Sequence, residues 1–255
     1  GAQIALKRED RAPGKNGIAP APDPIVVLAK DEAGYRSLMK LLSRAYMETP
    51  AGEDAQVSLE DLEELNEGLI ALTGGPKGPI GRLLLEAQDQ AVEELLTRLK
   101  AIFEDRLYIE IMRHGLVEEE KTEEAFIDLA YRHDIPLVAT NDCFFPTREM
   151  HEAHDALICI AEGAYVGEQN RRRLTPEHYF KSAEEMRALF ADLPEAVDNT
   201  LVIAKRCAVM PEKIAPLLPA YTKLDGRTET EALVDLSREG LEHRLETQVW
   251  TEAMD

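Results

Sequence analysis

The sequence predicts an α/β fold built on a parallel sheet or barrel, and three observations point there. Short apolar runs of strand length (residues 25–29, 69–72, 107–111 and 136–139) alternate with longer segments of helical period. Such alternation marks strand–helix–strand units with right-handed crossovers. The last run ends in Thr140-Asn141-Asp142, and polar residues at the C-terminal ends of parallel strands face the site in α/β barrels. At 255 residues with 44% hydrophobic content, the chain can bury the core such a fold needs.

Taken in order, Gln3-Ile-Ala-Leu6 reads as a strand, and residues 11–24, rich in Pro, Gly and Ala, as an irregular loop. After strand 25–29, Asp31 is placed to cap a helix reaching about Met47, with Tyr35, Leu38, Leu42 and Ala45 at helical spacing. Ser58-Leu-Glu-Asp61 resembles a capping box with Asp in place of Glu. Strand 69–72 is stopped by Thr73-Gly-Gly-Pro-Lys-Gly78, which lacks the GxxxxGK[ST] spacing of a phosphate loop. Val92, Leu95, Leu96, Leu99, Ile102 and Phe103 share a helix face before strand 107–111, and a helix near 118–133 leads to strand 136–139. Beyond residue 146 the pattern is helical: 147–161 with His151 and His154, a capping box from Ser182 to Glu185, and Pro194 opening a helix through Cys207. Residues 211–219 read as a proline-rich linker, and 228–250 as an amphipathic helix carrying Leu233, Leu236, Leu241 and Leu245.

The net charge of −20, from 49 acids against 29 bases, repels a phosphate backbone and argues against direct gripping of DNA. No apolar run approaches a membrane span, and the first ten residues hold no apolar core of signal-peptide length. A cytoplasmic protein without a membrane partner is expected. Cys143, Cys159 and Cys207 form no CxxC pair, which fits reduced thiols.

Several segments carry a resemblance, in a consistent order. They are Leu28-Ala-Lys-Asp-Glu-Ala-Gly-Tyr-Arg-Ser-Leu-Met-Lys-Leu41, Glu67-Gly-Leu-Ile-Ala-Leu-Thr-Gly74, Tyr108-Ile-Glu-Ile-Met-Arg-His-Gly115 and Val138-Ala-Thr-Asn-Asp142. His154-Asp-Ala-Leu-Ile-Cys-Ile160, Phe180-Lys-Ser-Ala-Glu-Glu-Met186 and Leu193-Pro-Glu-Ala-Val-Asp-Asn-Thr-Leu201 follow. Together they resemble the polymerase and histidinol phosphatase (PHP) domain of bacterial DNA polymerase III alpha subunits. The resemblance implies a distorted seven-stranded parallel α/β barrel, truncated at its N-terminus because no His-x-His pair precedes the matched segments, and followed by a helical segment. It divides the chain into a PHP domain at 1–210, a linker at 211–227 and a helical lead into the polymerase palm at 228–255.

Active members of the superfamily hold up to three metal ions on His, Asp, Glu and Cys donors and hydrolyse phosphoesters, a chemistry that works by lowering the pKa of bound water. Carried onto this chain, the donors fail at Gln3 (a Glu in the family), at Gly75 (Cys or His) and at Phe144 (His). His114 and Asp142 remain as vestigial candidates, too few for a trinuclear cluster. For His114 the competing role is a ring satisfied by a backbone carbonyl, and for Asp142 a turn cap or an arginine pair. Cys143 reads as a buried filler ahead of a thiolate ligand. His151 and His154, at i and i+3, lack a nearby Asp or Cys donor. Arg171-Arg172-Arg173 reads as a solvated loop ahead of a DNA or partner contact. No catalytic residue is assigned.

The resulting expectation is a degenerate, metal-free PHP domain that braces a replicative polymerase and docks its partners, the proofreading exonuclease subunit and other replisome proteins. DNA would be met through the parent protein. Zinc, manganese or magnesium would bind only were the site active, and magnesium would serve the polymerase domain. The alternatives are a metal-dependent phosphoesterase or 3′–5′ proofreading PHP domain, and the error-prone paralogue of the polymerase.

Overall fold

A computed structural model describes residues 1–8, 20–216 and 218–247. Most of the predicted loop at 11–24 and the end of the last predicted helix, 248–250, lie outside the described residues, as does the stretch up to Asp255. Pro24, expected in that loop, sits instead inside a strand.

The elements are β1 (Ala2–Leu6), β2 (Asp23–Ala29), α1 (Glu32–Glu48), α2 (Leu59–Glu64), β3 (Leu69–Leu72), α3 (Pro79–Leu85), α4 (Asp89–Phe103), β4 (Leu107–Ile111), α5 (Val117–His133), β5 (Leu137–Ala139), α6 (His151–Glu162), α7 (Ala183–Leu189), α8 (Pro194–Arg206) and α9 (Glu229–Thr247). Local chemistry sets several of their starts. The Asp31 carboxylate accepts from the Gly34 N–H at 2.9 Å, and reciprocal capping boxes join Ser58 to Asp61 and Ser182 to Glu185.

The seven-stranded parallel barrel is not what forms. The described strands make one five-stranded mixed sheet in the order β1-β2-β3-β4-β5, not closed into a barrel. β1 and β2 pair antiparallel, as do β2 and β3, while β3, β4 and β5 run parallel. The physical reason is that apolar period marks a strand but not its direction. A helical connection does not settle direction either: α1 and α2 join β2 to β3, and those two strands pair antiparallel, whereas the connections through α3–α4 and through α5 return the chain parallel.

One face of the sheet carries the main core, with Ile25, Leu69 and Leu107 packed under Leu41, Leu62, Leu96, Leu99, Phe103 and Phe126. The other face holds a smaller cluster of Ile70, Leu72, Tyr108 and Val138 against Ile203 of α8. Residues Gly1–Pro211 make up one compact unit and Glu212–Asp255 a second. In the second, the described residues before α9 form no helix or strand, and Leu233, Leu236, Leu241 and Leu245 of α9 are exposed. No described helix is long and apolar enough to cross a membrane.

Candidate functional site

Because β3, β4 and β5 run parallel, their C-terminal ends open together, which is where α/β sheets place ligands. A cleft of about 530 Å³ lies there, lined by Gly74 after β3, by Glu110 and His114 on and after β4, and by Thr140, Asn141 and Asp142 after β5. Gln3 of β1, Lys77, Glu118, Glu119, Phe144, Arg172 and His178 also line it. The structure thus brings His114 and Asp142 to one cleft.

Glu110 is the most enclosed carboxyl of this wall. The Thr140 hydroxyl lies 2.7 Å from Oε1, and the Gly74 N–H donates to Oε2 at 3.0 Å. The Glu110 N–H in turn donates to Thr73 Oγ1 at 3.0 Å. Burial pushes the Glu110 carboxyl above the ordinary carboxylate range, and the nearby Asp142 charge adds to this. Its hydrogen bonds from Thr140 and Gly74 act in the opposite sense.

His114 is buried, and its Nδ1 lies 2.7 Å from Glu119 Oε1. An ionised carboxylate can only accept, which assigns the proton to Nδ1. Nε2 has two neighbours, the Asp142 backbone N–H at 3.1 Å and Asn141 Oδ1 at 3.0 Å, and is engaged within the protein by one or the other whether it carries a lone pair or a proton. The partners are therefore a carboxylate and, at Nε2, an amide N–H or the Asn141 side chain, not the backbone carbonyl expected from sequence. Burial opposes ionisation of Glu119. Its bonds from the His114 ring and from the N–H groups of His114 and Leu116 prevail and hold its pKa below the usual range. His178 stacks on His114 with ring centroids 4.1 Å apart, and burial, then the His114 neighbour, lowers its pKa to about 4.

Asp142 pairs with Lys77, its Oδ2 3.9 Å from Nζ, rather than with an arginine. A Cβ on Gly75 would come within 3.3 Å of the Met112 methyl, so a thioether fills the space beside this glycine. The Phe144 ring stands 5.9 Å from His178 and 5.7 Å from His154. Cys143 is exposed rather than buried, its Sγ accepting from Asn141 Nδ2 at 3.0 Å. His151 Nε2 is taken by the Leu174 carbonyl at 2.9 Å, while His154 packs between Phe144 and Phe145. The arginine triplet disperses: Arg171 turns inward onto both oxygens of Asp155, Arg172 lies over Phe144, and Arg173 donates to the Glu168 carbonyl.

Against the donor set of a zinc, manganese or magnesium cluster, these residues do not fit. Among the described residues, no three His, Cys, Asp or Glu side chains come together to hold a metal ion. His114 Nε2 and both Glu110 oxygens are already engaged within the protein.

Sequence reasoning missed Glu110, Glu119 and His178 as parts of this wall. Glu110 carried a usable signal, a lone acid in the apolar run Leu107–Ile111, since a buried carboxyl needs partners. His178 lies 64 positions from its stacking partner, and nothing local announced it.

The sequence profile of the PHP domain family matches residues 1–114. The DNA polymerase III subunit alpha of Caulobacter vibrioides is 47% identical over 222 residues, 87% of this chain and 19% of the relative. That of Rickettsia bellii is 40% identical over 228 residues, 89% of this chain and 19% of the relative. The Escherichia coli protein of the same name is 39% identical over 222 residues, with coverage of 87% and 19%. The chain spans about a fifth of the length of the curated relatives it matches.

Proposed function

Because this chain belongs to the family of PHP domains of bacterial DNA polymerase III alpha subunits, we propose that it serves a replicative, DNA-directed DNA polymerase as a degenerate, metal-free PHP domain. Its task is to brace the parent enzyme and to dock replisome proteins, among them the proofreading exonuclease subunit, in the cytoplasm. Nucleotide addition, and the magnesium it needs, belong to other parts of the parent. The observation that carries this reading is the state of the cleft donors. Gln3, Gly75 and Phe144 stand where the resemblance implies the family's ligands, and both ring nitrogens of His114 are engaged within the protein. Docking is supported by large apolar side chains left in solvent on and just after α6, namely Leu157, Ile160, Tyr165 and Val166.

One observation favours a second reading, a metal-dependent phosphoesterase or 3′–5′ proofreading PHP domain. Glu119 holds the His114 ring through Nδ1 in the way outer carboxylates orient a metal-ligating imidazole. Assaying the full-length protein separates the two. On the leading reading, primer extension depends on an intact PHP domain, and phosphoester or mismatched-primer hydrolysis is unchanged by His114→Ala and Asp142→Asn. Hydrolysis supported by manganese or zinc and abolished by either substitution would refute it.

A further inference from the structure

The turn Thr73-Gly-Gly-Pro-Lys-Gly78 has the composition of an anion loop without its spacing, and its position suggests a different use. It is clamped to β4 by three hydrogen bonds. Thr73 N–H donates to the Tyr108 carbonyl at 3.2 Å, Glu110 N–H to Thr73 Oγ1 at 3.0 Å, and Gly74 N–H to Glu110 Oε2 at 3.0 Å. Its shape demands glycine at two points. Gly74 has φ +80°, and its Cβ would stand 2.3 Å from the Pro24 carbonyl oxygen. A Cβ on Gly78 would stand 1.9 Å from the Thr73 carbonyl oxygen. The turn closes through Gly78 N–H bonds to the Gly74 and Gly75 carbonyls, each 3.1 Å, and Gly75–Lys77 forms a single turn of 3₁₀ helix. A backbone so fixed sets the Lys77 Cα at the rim of the cleft, from which Nζ reaches Asp142 Oδ2.

The wall beside Lys77 is rich in acids: Glu110, Glu118, Glu119 and Asp142. Glu119 is answered by His114 and Glu110 by Thr140 and Gly74, while the side chain of Asp142 faces Lys77. Arg172, the other cation of the wall, lies over the Phe144 ring. We propose that Lys77 is the cleft's own counter-ion, an ammonium supplied by the chain that neutralises Asp142 where a superfamily member would use a bound cation. The inference rests on the metal-free reading of the cleft and adds a residue, and a reason, to it. A tethered cation at the rim competes with free divalent ions for the same carboxylate, and its effective concentration there does not depend on the medium.

The test is the melting temperature of the full chain with and without millimolar Mn²⁺, at matched ionic strength, for the wild type and for Lys77→Met, Lys77→Arg, Asp142→Asn and Lys77→Met/Asp142→Asn. Lys77 is largely exposed, so none of these changes threatens folding. The wild type and Lys77→Arg should be indifferent to Mn²⁺. Lys77→Met should melt about 1–3 °C lower, as loss of one exposed ion pair implies, and Mn²⁺ should return the loss. The double variant should no longer respond to Mn²⁺. If Lys77→Met melts like the wild type and ignores Mn²⁺, or if the double variant responds as strongly as Lys77→Met, the counter-ion role is wrong and the metal-free reading stands. If the wild type itself is stabilised by Mn²⁺ and Asp142→Asn removes the effect, both fall.

Discussion

Glu110 offers the sharpest perturbation of the cleft, because alanine and glutamine remove different things there. Alanine leaves the Gly74 N–H and the Thr140 hydroxyl without the carboxyl that joins them. Each stranded group costs roughly 1–3 kcal/mol, while the gain from no longer ionising a buried carboxyl offsets part of this, so a net loss of about 2 kcal/mol is expected at neutral pH. For a domain of this size that lowers the melting temperature by about 4–8 °C. Glutamine instead keeps an acceptor for Gly74, offers Nε2–H to Thr140, and cannot ionise. Burial raises the Glu110 pKa in the folded state, so the unfolded chain loses its proton first as pH rises. Wild-type stability contributed by this group is therefore present below the ordinary Glu range and is lost as pH climbs through the higher folded value. Thermal unfolding followed by circular dichroism from pH 4 to pH 8 reads both effects. Glu110→Gln should flatten the decline and melt at or above the wild type at pH 7. An unchanged slope in Glu110→Gln, or Glu110→Ala melting with the wild type, would refute the assigned burial and bonding of Glu110.

Three further outcomes are expected. Gly78→Ala places a methyl 1.9 Å from the fixed Thr73 carbonyl oxygen and should cost on the order of 3 kcal/mol in denaturant unfolding. Leu62→Ala empties a fully buried site on α2 in the main core and should cost about 2–5 kcal/mol by the same measurement, while leaving the cleft's behaviour toward divalent ions unchanged. His178 is held neutral by burial, with its pKa lowered from 6.5 to about 4, so the folded state loses stability as pH falls through that window. Substituting Gln at position 178 should reduce that acid-side loss in melts taken between pH 7 and pH 4.

What the sequence disclosed was what short-range chemistry decides. The caps at Asp31, Ser58 and Ser182 were visible because each is completed within three residues. Strands β3, β4 and β5 were visible because their apolar runs are bounded by helical segments and turns. The antiparallel entry of β1 and β2 was not, since alternation in Asp23–Ala29 is the same whichever way the neighbour runs. Within the cleft, His114 and Asp142 were named from their motifs. Their contact depends on the parallel pairing of β4 with β5, which places Ile111 beside Ala139 and so sets the two following segments side by side. The Glu119 carboxylate lay hidden as one acid among several at the start of α5, and only the turn from β4 into that helix points it at the imidazole.

The most direct test of the account is the divalent-ion content of the full chain, purified without chelator and titrated with zinc, manganese and magnesium by calorimetry, alongside elemental analysis. A degenerate cleft predicts substoichiometric metal and no saturable heat that depends on His114 or Asp142. Two or more ions per chain, released by His114→Ala or Asp142→Asn, would contradict it.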